Sequence, residues 1–259
     1  MLRKSNIIFL LFLIVLGICF LKFLNFLPNY SRLALVFLVL PSLFFVFRKG
    51  SSLNLKKYLL IIILSPIFTI IWDTTAQATW LWRFPKEAVS FWILGIPLEE
   101  YFFAFWFITM VLGIYTSLPK LKIRPGIFDN HPHITEPFLF TIIFILQFTA
   151  FSFLFTNPES YIKWLIVFAI LPSVFYLWRK REHIDEQRLL ITLIIMFAVA
   201  ILIDLIFIPG NVWYYNELSL IGRIGIVPID DILFILFNSI FLIGFYTSLP
   251  NKNMWLGKE

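Results

Sequence analysis

Cysteine and charge are both scarce in this chain of 259 residues. A single cysteine, Cys19, excludes a disulfide framework within the chain, and neither it nor the three histidines show a spacing typical of a metal site. Only 14% of the residues are charged, whereas 60% are hydrophobic and the mean hydropathy is +0.90. These values differ strongly from those of soluble globular proteins, so the composition indicates an integral membrane protein without a bound metal.

Eight apolar segments are long enough to be transmembrane helices, which need about 20 residues each. The sequence therefore predicts an all-α membrane fold, in which Arg3 and Lys4 precede a first helix that we expect to be retained because it lacks a small-x-small cleavage site. The predicted spans are Ile7–Leu27, Tyr30–Phe47, Tyr58–Ala78, Ile93–Leu118, Pro137–Phe155, Tyr161–Trp178, Leu189–Ile208 and Ile224–Leu249.

A short motif, YTSLP, reveals an internal repeat. It occurs at Tyr115 and again 131 residues later at Tyr246. The same offset superimposes Asp73 on Asp204, Trp82 on Trp213, Pro97 on Pro228, and Glu99-Glu100 on Asp230-Asp231. This register predicts two tandem four-helix repeats in the same orientation, with the first repeat at residues 1–119, a linker at 120–136 and the second repeat at 137–259.

Six acidic residues lie within or at the mouths of the predicted spans: Asp73, Glu99, Glu100, Asp204, Asp230 and Asp231. An ionisable group at such a depth costs about 2.5 to 3.5 kcal/mol, so its presence requires a reason. Helix capping is one reason, since an acid shortly after a proline is typical of a helix start. The repeat also places all six acids at similar depth, as candidates for one cavity. Because adjacent residues on a helix point about 100° apart, only one acid of each pair needs to face inward.

Aromatic residues crowd these acids. The rings that we consider candidates for substrate contact are Trp80, Trp82, Tyr101, Phe102, Phe103, Trp213, Tyr215 and Phe234. Tryptophan and tyrosine at this depth commonly belong to the interfacial belt, but a ring face also stabilises a cation. Acids that give a proton, beside rings that stabilise positive charge, are suited to carbocation chemistry on an apolar substrate.

Two long strings carry a resemblance to a known family. The first copy reads WDTTAQATWLWRFPKEAVSFWILGIPLEEYFF from Trp72, and the second reads IDLIFIPGNVWYYNELSLIGRIGIVPIDDILF from Ile203. An aspartate in a span, a tryptophan-containing stretch and then a proline followed by paired acids resemble the membrane-integral lycopene cyclases of archaea, fungi and some bacteria. The chain is similar to the fused form of the two-subunit bacterial enzyme. It departs from the family at Thr79, where glycine is common, and at Asp230, where glutamate is usual.

The resemblance implies an acid-catalysed, redox-neutral cyclisation of the linear end groups of lycopene or a related carotenoid to six-membered rings, with β rings expected. It implies that the acid pairs, together with Asp73 and Asp204, are the catalytic residues, and that the shorter side chain of Asp230 alters which end-group position it reaches. The implied partners are a linear carotenoid, membrane lipids and other enzymes of the carotenoid pathway. We expect no cofactor, since the chain contains no Gly-x-Gly-x-x-Gly motif.

Three other classes of membrane protein fit the residues less well. A microbial-rhodopsin-like receptor needs a lysine in the middle of a span, whereas every lysine here lies in a loop or near a span end. A polyprenyl transferase needs spaced aspartate-rich motifs for magnesium and a diphosphate, which the two acid pairs imitate only loosely. A proton-coupled transporter is the strongest rival, because intramembrane acids and duplicated halves are also typical of carriers. The aromatic residues and the two strings favour the cyclase.

The basic residues predict the topology. With eight spans, alternate loops divide the 21 lysines and arginines so that 15 lie on one membrane face. Positively charged loops remain in the cytoplasm, so we expect a multi-pass cell-membrane protein with both termini cytoplasmic. The net charge of +6 is explained by these loops, and we expect no nucleic-acid partner.

The first prediction follows from this charge asymmetry. A reporter that is active only in the periplasm should be silent when fused to the C-terminus, and a cytoplasmic reporter should be active there. Periplasmic activity at the C-terminus would contradict the predicted topology.

Overall fold

All long elements in the described part of the chain are helices. The computed structural model describes residues 4–47, 53–119, 161–180 and 184–249. The helices are α1 (Lys4–Phe23), α2 (Asn29–Phe47), α3 (Leu55–Ala78), α4 (Leu98–Ser117), α5 (which begins at Tyr161 and ends at Lys180), α6 (Glu186–Phe207) and α7 (Ile229–Ser248). The strands, each of two residues, are β1 (Trp82–Arg83), β2 (Trp92–Ile93), β3 (Ile96–Pro97), β4 (Tyr214–Tyr215), β5 (Arg223–Ile224) and β6 (Val227–Pro228).

Six of these helices, α2 to α7, are long and apolar enough to cross a membrane. In the described part of α1, the apolar stretch is shorter, at Leu11–Phe23. The linker at 120–136 and the fifth predicted span, Pro137–Phe155, lie outside the described residues. The prediction of an all-α integral membrane protein is confirmed.

The predicted starts of two spans were wrong. We expected helices from Ile93 and from Ile224, but these residues belong to two short antiparallel hairpins, β2–β3 and β5–β6. Each hairpin turns at a glycine with positive φ, Gly95 at 78° and Gly225 at 64°, a conformation that glycine adopts without steric cost. Hydropathy alone does not distinguish a short apolar strand from a helix. The helices α4 and α7 therefore begin directly after the hairpins, at Leu98 and Ile229.

Equivalent helix ends of the two repeats meet at one place. Asp73 near the end of α3 and Asp204 near the end of α6 line the same cavity as Glu100 and Asp231, which lie in the first turns of α4 and α7. Helices that present the same end to one cavity run in the same direction, so the two repeats share one orientation, as predicted. We call the membrane face with these residues the acid end of the bundle.

Two reciprocal contacts join the repeats at the opposite end. The Tyr246 hydroxyl accepts a hydrogen bond from the backbone N–H of Asn54 at 2.9 Å, and the Tyr115 hydroxyl accepts one from the backbone N–H of Asp185 at 3.1 Å. Asn54 and Asp185 are themselves the N-cap residues of α3 and α6. The tyrosine of each YTSLP motif therefore binds the start of a helix in the other repeat.

Glycines allow close helix packing within each repeat. A Cβ atom at Gly113 would lie 2.5 Å from Cδ1 of Phe45, and one at Gly244 would lie 2.5 Å from Cβ of Tyr176. Real Cβ atoms do not approach so closely, so α4 packs on α2, and α7 on α5, only because these residues have no side chain.

The second prediction tests this packing. Gly244→Ala should lower the melting temperature of the detergent-purified protein, since overpacking costs about 1 to 3 kcal/mol and Cβ of Tyr176 moves only with its backbone. Gly17→Ala is the matched control, because the nearest atom to its new Cβ is the side-chain methyl Cδ1 of Leu40 at 3.3 Å, which can yield. Equal melting temperatures for the two variants would refute the close-packing argument.

Candidate active site

A large cavity lies between the two repeats. The empty space within it and in its opening to the outside is about 1170 Å³. Its wall is mostly apolar, and helices α3, α4, α6 and α7 contribute most of it. The lining includes Ile61, Phe68, Trp72, Phe84, Phe107, Ala200, Asn238, Phe241, Leu242 and Phe245. Such a cavity suits an apolar ligand with a few groups placed to react.

Four of the six candidate acids line this cavity: Asp73, Glu100, Asp204 and Asp231. Asp73 and Asp204 are almost completely buried, whereas Glu100 and Asp231 are partly accessible. The second acid of each pair is thus the one that faces inward. The structure brings together one pair of carboxyl groups from each repeat.

In the first repeat, two donors hold the acids. The indole Nε1 of Trp82 donates to Oδ1 of Asp73 at 3.1 Å. The Tyr30 hydroxyl donates to Oε1 of Glu100. Tyr30 is fully buried at the start of α2, so its phenol has no route to solvent.

In the second repeat, both oxygens of Asp231 accept phenol protons. The Tyr161 hydroxyl donates to Oδ1 at 2.7 Å, and the Tyr215 hydroxyl donates to Oδ2. Burial raises the pKa of the Tyr215 phenol well above its ordinary value, so Tyr215 remains a neutral donor. The Asp204 carboxyl lies beside that of Asp231, and its Oδ2 is buried without a hydrogen-bond partner.

The first acid of each pair faces away from the cavity. Oε1 of Glu99 accepts hydrogen bonds from the backbone N–H of Ser90 and the hydroxyl of Ser31. Oδ2 of Asp230 accepts one from the backbone N–H of Ile221 at 2.9 Å. These acids hold the segments that lead into the hairpins and do not line the cavity, so the structure gives no support to the expectation that Asp230 reaches the substrate end group. Its carboxylate is directed to the backbone by its position on α7.

Five of the eight candidate rings line the cavity: Trp82, Phe103, Trp213, Tyr215 and Phe234. The tryptophan of each repeat packs into the other repeat. Trp82 lies edge-to-face on Trp164, with ring centroids 5.3 Å apart, and Trp213 lies edge-to-face on Tyr30 at 5.7 Å.

The other three candidate rings lie outside the cavity, so the structure gives no support to their predicted contact with the substrate. Trp80 is half exposed and stacks under the Arg83 guanidinium, whose central carbon is 3.3 Å from the ring centroid. The Tyr101 hydroxyl donates to the carbonyl of Ile93 in β2 at 3.2 Å, and Phe102 is 38% exposed. Helical periodicity accounts for this, because Phe103, three residues after Glu100, points inward while Tyr101 and Phe102 do not.

The loops of the two repeats pair across the acid end. Strand β1 pairs antiparallel with β4, and the backbone N–H of Asn216 donates to the carbonyl of Leu81 at 3.1 Å. Trp82 of β1 and Tyr215 of β4 also line the cavity. The paired loops therefore cover the carboxyl groups on the side of the aqueous phase.

The sequence interpretation missed the two phenols Tyr30 and Tyr161. Their separation is 131 residues, the offset of the repeat. Comparing the starts of the second and sixth predicted spans at this offset would have paired them as equivalent residues.

Among the described residues, no group of three or more histidine, cysteine, aspartate or glutamate side chains could hold a metal ion. The fold and the cavity define a polytopic membrane protein with a covered, apolar site that contains four carboxyl groups. Residues 28–118 and 160–249 match the family model described as lycopene cyclase. These segments make up more than half of the chain, and the protein belongs to the lycopene cyclase family. No curated protein and no solved structure matches the chain.

The third prediction concerns the outward acids. Asp230→Ala should lower stability by about 1 kcal/mol, because the Ile221 N–H loses its acceptor. Asp230→Asn retains a carbonyl oxygen at the same place and should melt close to the parent. Thermal melting of the purified variants checks both. If alanine and asparagine were equally well tolerated, Asp230 would not hold this segment.

Proposed function

We propose that the protein cyclises the linear end group of lycopene, or of a closely related carotenoid, to a six-membered ring by acid catalysis. A protonated carboxyl gives its proton to the terminal double bond, and the neighbouring alkene attacks the resulting tertiary cation to close the ring. A carboxylate then removes a proton to set the ring double bond, with a β ring as the expected product. Substrate and product are isomers, so this isomerase reaction consumes no electrons and its scheme needs no cofactor.

The convergence of four carboxyl groups in one apolar cavity is the observation that supports this proposal. Glu100 with Asp73, and Asp231 with Asp204, each combine an inward acid of a pair with the acid at the end of the preceding helix. Each combination provides a proton donor and an acceptor close together, as protonation followed by deprotonation requires. Both oxygens of Asp231 already accept phenol protons, which suits Asp231 as acceptor and Asp204 as donor.

The rings and the cover complete the mechanism. Trp82, Trp213 and Phe234 present π systems to the cavity, and ring faces stabilise a cation in a site of low polarity. Water would capture the cation as an alcohol, so a cyclase must keep water from it. The pairing of β1 with β4 over the carboxyl groups supports such exclusion.

We also propose the topology and domain division that the sequence predicts, with both termini in the cytoplasm and repeats at 1–119 and 137–259. In this orientation the acid end lies toward the outer face of the membrane. The transporter and polyprenyl transferase alternatives have no comparable support, since the family match covers both repeats.

The direct test is expression in a bacterial host that accumulates lycopene. We expect chromatography to show conversion of lycopene to a product with at least one ring, without any added cofactor. Unchanged lycopene in cells whose membranes contain the folded protein would refute the proposed activity.

The fourth prediction distinguishes inward from outward acids. Glu100→Gln and Asp231→Asn should reduce ring formation per folded molecule by a factor of about 10² to 10⁴, the usual contribution of a general acid or base. Glu99→Gln and Asp230→Asn are the matched controls, because they make the same chemical change in carboxyl groups that face the hairpin segments. We expect each control to retain most of the parent rate.

The protein must be quantified by melting or gel filtration, so that loss of folded protein is not counted as loss of activity. If both inward variants cyclise at near the parent rate, the carboxyl groups serve the structure and the proposed mechanism is wrong.

A further inference from the structure

The cavity is long as well as wide. On α3, the lining residues extend from Asp73 to Ile61, which is 12 residues and about 18 Å along the helix. On α7, they extend from Asp231 to Phe245, which is 14 residues and about 21 Å. The cavity is therefore a slot that runs along the bundle for most of the roughly 30 Å hydrocarbon core.

The lining of α7 follows a single helical stripe: Asp231, Phe234, Ile235, Asn238, Phe241, Leu242 and Phe245. Steps of three and four residues keep these side chains on one face of the helix. The carboxyl groups occupy only the acid end of this stripe, and the opposite end is aromatic and aliphatic. Apart from Asn238 in its middle, whose Nδ2 donates to the Phe234 carbonyl at 3.0 Å, this stripe offers an extended hydrocarbon chain an apolar wall beyond the acid end.

The acid end of the slot is covered. Strands β1 and β4 pair there, and the rings of Trp82 and Tyr215 on these strands form part of the wall. A long substrate whose end group lies at the carboxyl groups therefore has no straight path outward through the paired loops. The slot offers its chain a path in the other direction, along α3 and α7.

We propose that the substrate binds lengthwise, with the reacting end group at the four carboxyl groups and its polyene along the slot toward Ile61 and Phe245. This inference rests on the proposed cyclase activity. A conjugated polyene is a stiff rod, so its two ends cannot reach one set of acids together. The two ends of a linear carotenoid are therefore cyclised in separate binding events, with release and reversal of the one-ring intermediate between them.

The fifth prediction tests the slot by filling its far end. Ile61 is 4% exposed and lines that end, whereas Ile63, on the same helix, is 70% exposed on the outer surface. Ile61→Trp should reduce the cyclisation of lycopene at least 10-fold, because the indole occupies the path of the polyene. Ile63→Trp adds the same ring to the outer surface and should retain the parent rate.

A shortened substrate provides the internal control. The probe is an apocarotenoid that keeps the linear end group of lycopene but ends less than about 18 Å from it, so that it stops above Ile61. Ile61→Trp should cyclise this probe at close to the parent rate, which also shows that the variant is folded. Leu242→Trp, which fills the same end from α7, should give the same pattern.

The outcomes separate the slot from the activity. Lengthwise binding would be overturned if Ile61→Trp cyclised lycopene at the parent rate. It would also be overturned if folded Ile61→Trp and Leu242→Trp lost as much activity on the shortened apocarotenoid as on lycopene. If the unaltered protein cyclises neither substrate, the proposed activity itself fails.

A time course on lycopene should show the one-ring product free in the membrane before the two-ring product. Two-ring product formed without any free intermediate would contradict separate binding events.

Discussion

Placing four carboxyl groups in an apolar cavity within a membrane is the constraint on which the structure depends. A carboxyl group at such a depth is stabilised mainly by hydrogen-bond donors of the protein, and all of the four except Asp204 accept a hydrogen bond from a phenol or an indole. Tyr30, Tyr161 and Tyr215 supply phenols to the inward acids of the pairs, and Trp82 supplies its indole to Asp73. Tyr30 and Tyr161 lie at the starts of α2 and α5, and Trp82 and Tyr215 lie in β1 and β4. Their hydrogen bonds to the acids therefore fix the positions of these two helices and two strands.

The same donors make the two repeats depend on each other. Trp82 binds an acid of its own repeat, while its ring packs on Trp164 of the second repeat. Trp213 packs in turn on Tyr30 of the first. At the opposite end, Tyr115 and Tyr246 each bind the start of a helix in the other repeat. One repeat alone would lack half of the cavity wall, and the N-cap residue of its third helix would lose the tyrosine hydroxyl of the other repeat. The site therefore requires both repeats.

The repeats are equivalent in backbone but not in chemistry. Tyr215 donates to Asp231, whereas Phe84 stands at the equivalent position of the first repeat and has no hydroxyl group. Phe84 still stacks on Tyr30 as Tyr215 stacks on Tyr161, with ring centroids 5.9 Å and 6.5 Å apart. Loss of one hydroxyl thus leaves the packing in place and gives the two inward acids different surroundings. Such a difference suits a reaction that needs one group to give a proton and another to take it.

The sequence by itself determined the membrane class, the internal repeat and the shared direction of its two copies, because hydropathy and the 131-residue offset depend only on residue order. It also identified all four acids that line the cavity. Only the tertiary structure decided that Glu100 and Asp231 face the cavity while Glu99 and Asp230 hold the segments before the hairpins. Adjacent residues on a helix differ in direction by about 100°, and which one points inward depends on how α4 and α7 are rotated against their neighbours. The same rotation excluded Tyr101 and Phe102 from the cavity. The packing of Trp82 and Trp213 against rings of the other repeat could not be predicted from the sequence either, because it depends on how the loops cross from one repeat to the other.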